Sequence, residues 1–149
     1  SYTMAEADIS NYFEELRQDF IGAYYGMYFL EICDYYAREN NDELEMLKLL
    51  YQSLRALTNH SIPHKLTRCI FELKAIMVNG EFDGRGIGDI LNESTQYTID
   101  YIMKTPSEKL YRFLVSEEVL KELVHFCRQL CRLTFDRDFK SLEILENLE

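Results

Sequence analysis

The chain has 149 residues, 47% of them apolar and 28% charged, a balance that supports one folded domain with a packed core and excludes both a disordered tract and a fibrous repeat. Sixteen Lys and Arg stand against 26 Asp and Glu, a net charge of −10; a field of that sign repels a phosphate backbone, so tight nucleic-acid binding by this chain alone is not expected. No apolar run approaches the roughly 18 residues that span a bilayer, and the amino terminus has no signal-peptide core, which argues against a membrane or secreted protein.

Ala5, Ile9, Phe13 and Leu16 recur at helical spacing and open the chain with a helix. A second is expected from about Phe20 to Arg38, with Phe20, Tyr24, Met27 and Leu30 along one side and further aromatics around it; such wide apolarity suggests a central helix. A third begins after Asp42, whose carboxylate and Glu45 form a capping box, and carries Leu44, Leu47, Tyr51 and Leu54 to a stop near Asn59. The fourth starts around Ser61 to Pro63, aligns Leu66, Ile70, Leu73 and Met77 on a stripe that Cys69 and Ile76 widen, and ends at Gly80.

Gly80, Gly84, Gly86 and Gly88 then mark one long loop. Thr95, Ile99 and Ile102 predict a helix from about Asn92 to Lys104. Thr105, Pro106 and Glu108 supply cap, first-turn proline and third-position acid for a short helix to about Leu114. From Ser116 to about Phe135 two apolar stripes run side by side, Val119, Leu123, Phe126 and Leu130 next to Leu120, Val124, Cys127 and Cys131, and Ser141 to Leu148 closes the chain with a short helix. The expectation is an all-α, compact bundle of about eight helices forming one domain over residues 1–149, with Leu73 and Leu123 at its centre.

Few residues suggest chemistry. Cys127 and Cys131 are one turn apart, but a structural zinc site needs four ligands, and Cys33 and Cys69 lie singly elsewhere, so buried, reduced thiols are the preferred reading. His60 and His64 are also four apart, without the glutamate that follows the first histidine of a metalloprotease helix. The alternating Gly84, Gly86 and Gly88 lack a preceding strand and sit among Glu81, Asp83 and Asp89, unlike a phosphate cradle. His125 and Cys127, two apart, face different ways. Asn92-Glu93-Ser94 is a glycosylation sequon that a chain without a secretory signal does not use. Tyr24, Tyr25, Tyr28, Tyr35 and Tyr36 read as core rather than as a stacking platform for bases. Lys65, Arg68 and Lys74 form one of the few basic concentrations, either a solvated face or a groove for carboxylates.

Three stretches, Tyr12 to Asp19 with the aromatic helix that follows to Glu31, then Phe71-Glu72-Leu73-Lys74, then Phe139-Lys140-Ser141-Leu142, together resemble the carboxy-terminal domain of the bacterial recombination mediator RecO. The resemblance implies a helical domain preceded in the parent protein by an OB barrel that binds single strands; a chain that opens at Ser1 fits such an excised half. It also implies a role in annealing strands and loading RecA at gaps, with RecR and the acidic tail of single-stranded-DNA-binding protein as partners, and single-stranded DNA contacted mainly through the OB barrel. Many members of that family carry two cysteine pairs for zinc after the corresponding helix. Here Gly80-Glu81-Phe82-Asp83-Gly84-Arg85 holds no cysteine, so the glycine-rich loop stands in place of the zinc loop and no metal or other cofactor is expected.

The reading is therefore a cytoplasmic, non-catalytic interaction domain of a recombination mediator. The alternative is the ligand-binding and dimerisation half of a helical transcriptional regulator, distinguished by a helix-turn-helix in the parent chain instead of an OB barrel. An acidic tail ending in an apolar residue needs a cation and a hydrophobic slot, for which Lys65 and Arg68, with Leu47 and Tyr51 from the third helix, are the candidates.

Overall fold

The computed structural model describes residues 2–37, 43–85 and 90–148, with side chains from residue 6 onward. Seven α-helices fill these segments: α1 (Tyr2–Glu15), α2 (Phe20–Ala37), α3 (Glu43–Leu57), α4 (His64–Val78), α5 (Glu93–Lys104), α6 (Glu117–Thr134) and α7 (Lys140–Leu148), with single 3₁₀ turns at Leu16–Gln18 and Ser107–Lys109. No strand occurs among the described residues, and the all-helical expectation holds. Asp42, the expected cap of α3, the Arg38 end of α2, and Gly86 and Gly88 of the loop lie outside the described residues.

Helix ends follow local chemistry. Asp19 accepts a hydrogen bond from the Gly22 amide at 2.8 Å and so caps α2. A Cβ on Gly22 would lie 2.4 Å from that same carboxylate, which is why glycine stands there. Gly26, one turn on, brings α2 to within contact of the Phe13 ring and Leu54. Ser116 accepts from the Val119 amide at 3.2 Å to start α6. At the end of α4, Gly80 takes φ +76, while the Gly80 and Glu81 amides donate to the carbonyls of Met77 and Ile76; that paired bonding needs a left-handed residue and explains the glycine stop.

α2 packs against α3, α4 and α7, as a central helix does, but the most deeply buried helix is α4, and one expectation, the short helix after Thr105, is corrected. Every residue from Leu66 to Ile76 is buried, and α4 packs against α2, α3, α5 and α6. By contrast α2 leaves Phe20 at 62% exposure and Met27 at 37%. Arg68, Glu72 and Lys74 give α4 the look of a surface helix in sequence, but all three are inside. The short helix expected from Thr105 to Leu114 is only the 3₁₀ turn. Thr105 does not open a helix: its hydroxyl and amide both donate to the Tyr101 carbonyl and close α5. Leu110 is then buried in the core, and the Tyr111 hydroxyl meets Ser53 of α3 at 2.6 Å; those tertiary contacts hold the segment against the bundle and stop the helix from continuing.

The core is aromatic where α2 meets α4. Phe29 and Phe71 stack at 4.2 Å and 15°. Leu73 and Leu123 are fully buried, as expected. Leu73→Ala should therefore lower stability by about 2–5 kcal/mol through lost burial and a residual cavity; a urea titration that leaves the midpoint in place would show Leu73 to be misplaced.

Candidate interaction surface

The four residues Phe71-Glu72-Leu73-Lys74 are buried together in α4 and have distinct partners. Phe71 stacks on Phe29 and Leu73 fills the core. Glu72 accepts the Tyr28 hydroxyl proton at 2.5 Å and the Arg68 Nε–H at 3.2 Å through the same oxygen. Arg68 also lies over the Tyr28 ring at 5.6 Å. Lys74 sends its ammonium to the carbonyls of Ile102, Met103 and Thr105, at 3.1, 3.0 and 2.6 Å, and so satisfies the open end of α5.

Burial and charge set the titration of these groups. Burial and then the neighbouring Glu72 raise the Tyr28 pKa well above its ordinary value. Burial alone would loosen the Arg68 proton, but the Glu72 carboxylate outweighs it and raises the guanidinium pKa. Burial lowers the pKa of Lys74. All are protein-holding groups, and Arg68 and Lys74 are not the solvated face that their spacing suggested. Arg68→Leu should destabilise by about 3–5 kcal/mol, because it strands a buried carboxylate, and Arg68→Leu/Glu72→Leu should recover most of that loss; urea denaturation of the two variants and wild type gives the comparison, and equal losses in both would contradict the pairing.

Asp19 and His64 form a second polar pair, with Nε2 and Oδ2 2.9 Å apart. Burial pushes the Asp19 pKa up, but the Gly22 amide and His64 overcome this and hold it below the ordinary carboxylate value. A depressed folded-state pKa contributes stability above about pH 4, the unfolded value, and that contribution disappears as pH falls through the folded value. The stability difference between wild type and Asp19→Asn should therefore be present at pH 6 and shrink below pH 4; thermal unfolding of both across that range reads it, and a difference independent of pH would remove the ionic role.

Among the described residues no group of three or more His, Cys, Asp or Glu is placed to hold a metal. His64 is engaged with Asp19. The Cys127 thiol points to the Cys69 carbonyl at 3.8 Å, and burial raises its pKa well above the ordinary thiol value. Burial likewise takes Cys33 to about 12. All four thiols are free, and burial makes Cys33, Cys127 and Cys131 poor nucleophiles.

Of the four residues expected to bind a partner, the structure brings only Lys65 and Arg68 to one side. Lys65 is exposed and lines a groove of about 660 Å³ with Lys121, His125 and Arg128 of α6, with the half-buried Leu120 and Val124, and with Glu117 and Glu118 of the first turn of α6. Leu47 and Tyr51 are half-buried elsewhere on α3; Tyr51 meets Tyr12 of α1 edge-on at 5.6 Å and carries Arg55 5.9 Å above its ring. The face that α3 turns to the core is the one with Leu50, Leu54 and Leu57. The apolar neighbour of Lys65 is α6. A sequence signal for this existed: Lys121, His125, Arg128 and Arg132 recur at i, i+4, i+7 and i+11, within an arc of about 60° on a helix. Arg128 also lines the next cavity along, where Arg68 and Arg132 stand, so α4 and α6 together make one cationic seam on an acidic protein.

These observations define an all-helical domain with polar interior bonding and a basic seam bordering apolar side chains. Residues 17–82, from the start of the first 3₁₀ turn region through α4, match the family model described as the C terminal of recombination protein O. The chain is similar to DNA repair protein RecO of Clostridium kluyveri, 23% identical across 99% of this chain and 69% of that protein, and to DNA repair protein RecO of Clostridium perfringens strain SM101, 22% identical across 97% and 78%. The resemblance to the RecO carboxy-terminal domain read from the sequence is borne out by both. No solved structure matches the chain.

Proposed function

We propose that this chain is the helical interaction domain of a DNA-repair mediator, without catalytic residues, working in the cytoplasm and receiving the acidic, apolar-ended tail of single-stranded-DNA-binding protein. The observation that carries the reading is the groove in which Lys65, Lys121, His125 and Arg128 stand beside Leu120 and Val124 and outnumber the two carboxylates of Glu117 and Glu118. Ammonium and guanidinium groups answer the tail carboxylates, and the half-buried Leu120 and Val124 offer an apolar seat for its last side chain. The similarity to DNA repair proteins named RecO supports the assignment to repair. In this reading RecR is a second protein partner of the mediator, and single-stranded DNA is held mainly by an OB barrel of the parent protein, since a chain of net charge −10 disfavours a direct phosphate contact.

Among the described residues no helix is long and apolar enough to cross a membrane. Binding should be modest and should weaken as salt rises, because the cations of the groove are exposed. Lys65→Glu/Lys121→Glu should reduce the affinity for a fluorescent acidic tail peptide by about tenfold or more at low salt, each reversal replacing an attraction with a repulsion, with the circular dichroism spectrum unchanged. Equal affinity for the variant and wild type would remove this groove as the site.

A further inference from the structure

Next to that groove, between α4, α6 and α7, lies a separate cavity of about 530 Å³, within the range of small-ligand sites. One wall is basic. Arg68 is only 8% exposed, and its position is fixed by the Nε–H bond to Glu72 and by the Tyr28 ring beneath it. Among the described residues its two terminal amino groups have no hydrogen-bond partner, and the residue lines the cavity. Arg128 and Arg132, one turn apart on α6, extend this wall and make no ion pair with any described residue. Other lining residues are acidic. Asp138, Glu143 and Glu146, at and on α7, line the same space and are likewise free of ion pairs among the described residues. Of the remaining charged lining residues, Arg137 is drawn to Asp34 at 3.9 Å and Asp136 to Tyr35.

A guanidinium clamped through Nε with both amino groups free is a preset fork for a carboxylate. A polyanion entering here would meet the carboxylates of α7, and a polycation would meet the three arginines. The ligand that satisfies both signs of charge is dipolar. We propose that this cavity binds a zwitterionic peptide segment, an acidic side chain or chain-end carboxylate turned to Arg68, Arg128 and Arg132, and an adjacent ammonium or guanidinium turned to Asp138, Glu143 and Glu146. The site shares Arg128 with the tail-binding groove but none of its other lining residues.

The test is a titration of the whole chain, labelled with ¹⁵N, with three capped dipeptides, N-acetylated and amidated Glu-Lys, Glu-Glu and Lys-Lys, and with inorganic phosphate. Arginine Nε–Hε signals are followed by NMR. Glu-Lys should shift the Arg68 signal saturably and bind at least several-fold more tightly than the other three probes. The exposed Arg132→Gln and Glu143→Gln should each weaken Glu-Lys binding by about tenfold, the order of one charge-assisted hydrogen bond, and each should leave binding of the acidic tail peptide unaltered. Glu-Glu or phosphate binding as tightly as Glu-Lys would make the site a plain anion receptor and overturn the proposal. So would the absence of any saturable shift at Arg68, or Glu143→Gln binding as wild type does.

Discussion

A carboxylate in the middle of a buried helix has to be answered where it stands, and Glu72 is answered twice, by the Tyr28 hydroxyl and the Arg68 guanidinium. The rest of the bundle is arranged around that requirement. Tyr28 brings α2 to α4, and its ring meets Phe139 just ahead of α7 at 5.7 Å. Arg68 comes from the preceding turn of α4 itself. An isolated buried charge costs several kcal/mol, so these partners can form only in one register of α2 against α4. Two turns' worth of apolar side chains could slide; a carboxylate with a tyrosine and an arginine cannot.

The same helix closes α5. Lys74 extends into the three carbonyls that α5 and the following turn leave unbonded, where a side-chain cation also meets the negative end of a helix dipole. Thus successive polar residues of α4 fasten different neighbours: Arg68 and Glu72 hold α2, Lys74 holds α5. The apolar residues between them, Phe71 and Leu73, contribute the burial. A motif that in sequence mixes charged and apolar residues is, in three dimensions, wholly internal.

With Arg68 and Lys74 turned inward, the chain presents its other cations at the surface, and α6 carries several of them in one row. Its first turn carries Glu117 and Glu118, its apolar face packs on α4, and its basic residues are set on the flank and outer side. Because α4 runs beside α6, Lys65 and Arg68 join that row, one exposed and one at the back of a cavity. Glu143 and Glu146 of α7 line the same cavity as Arg68, Arg128 and Arg132, so the seam holds a groove in which cations outnumber carboxylates and a cavity with both signs of charge. The strongly negative protein surface makes this seam the place where an acidic ligand is least repelled.

Helix periodicity, caps and glycine stops are local signals, and from them the sequence alone determined an all-helical chain, the extents of α4, α5 and α6 to within a residue or two, and the burial of Leu73 and Leu123; the likeness to RecO came separately, from three short matched stretches. Residues such as Arg68 and Lys74 were not legible as interior, because a charged side chain on one helix does not announce the partner that another helix supplies; hence the depth of α4 did not show in its sequence, while the aromatic α2 read as a central helix. The Thr105–Leu114 segment was misread for the same reason, since the Tyr111–Ser53 contact and the burial of Leu110 are decided by α3 and the core. Leu47 and Tyr51 follow helical spacing correctly, yet only the rotation of α3 in the bundle places Tyr51 against α1 instead of beside Lys65. Tertiary packing settles which helix faces meet, and with that it decides which charges are structural and which remain open to a ligand.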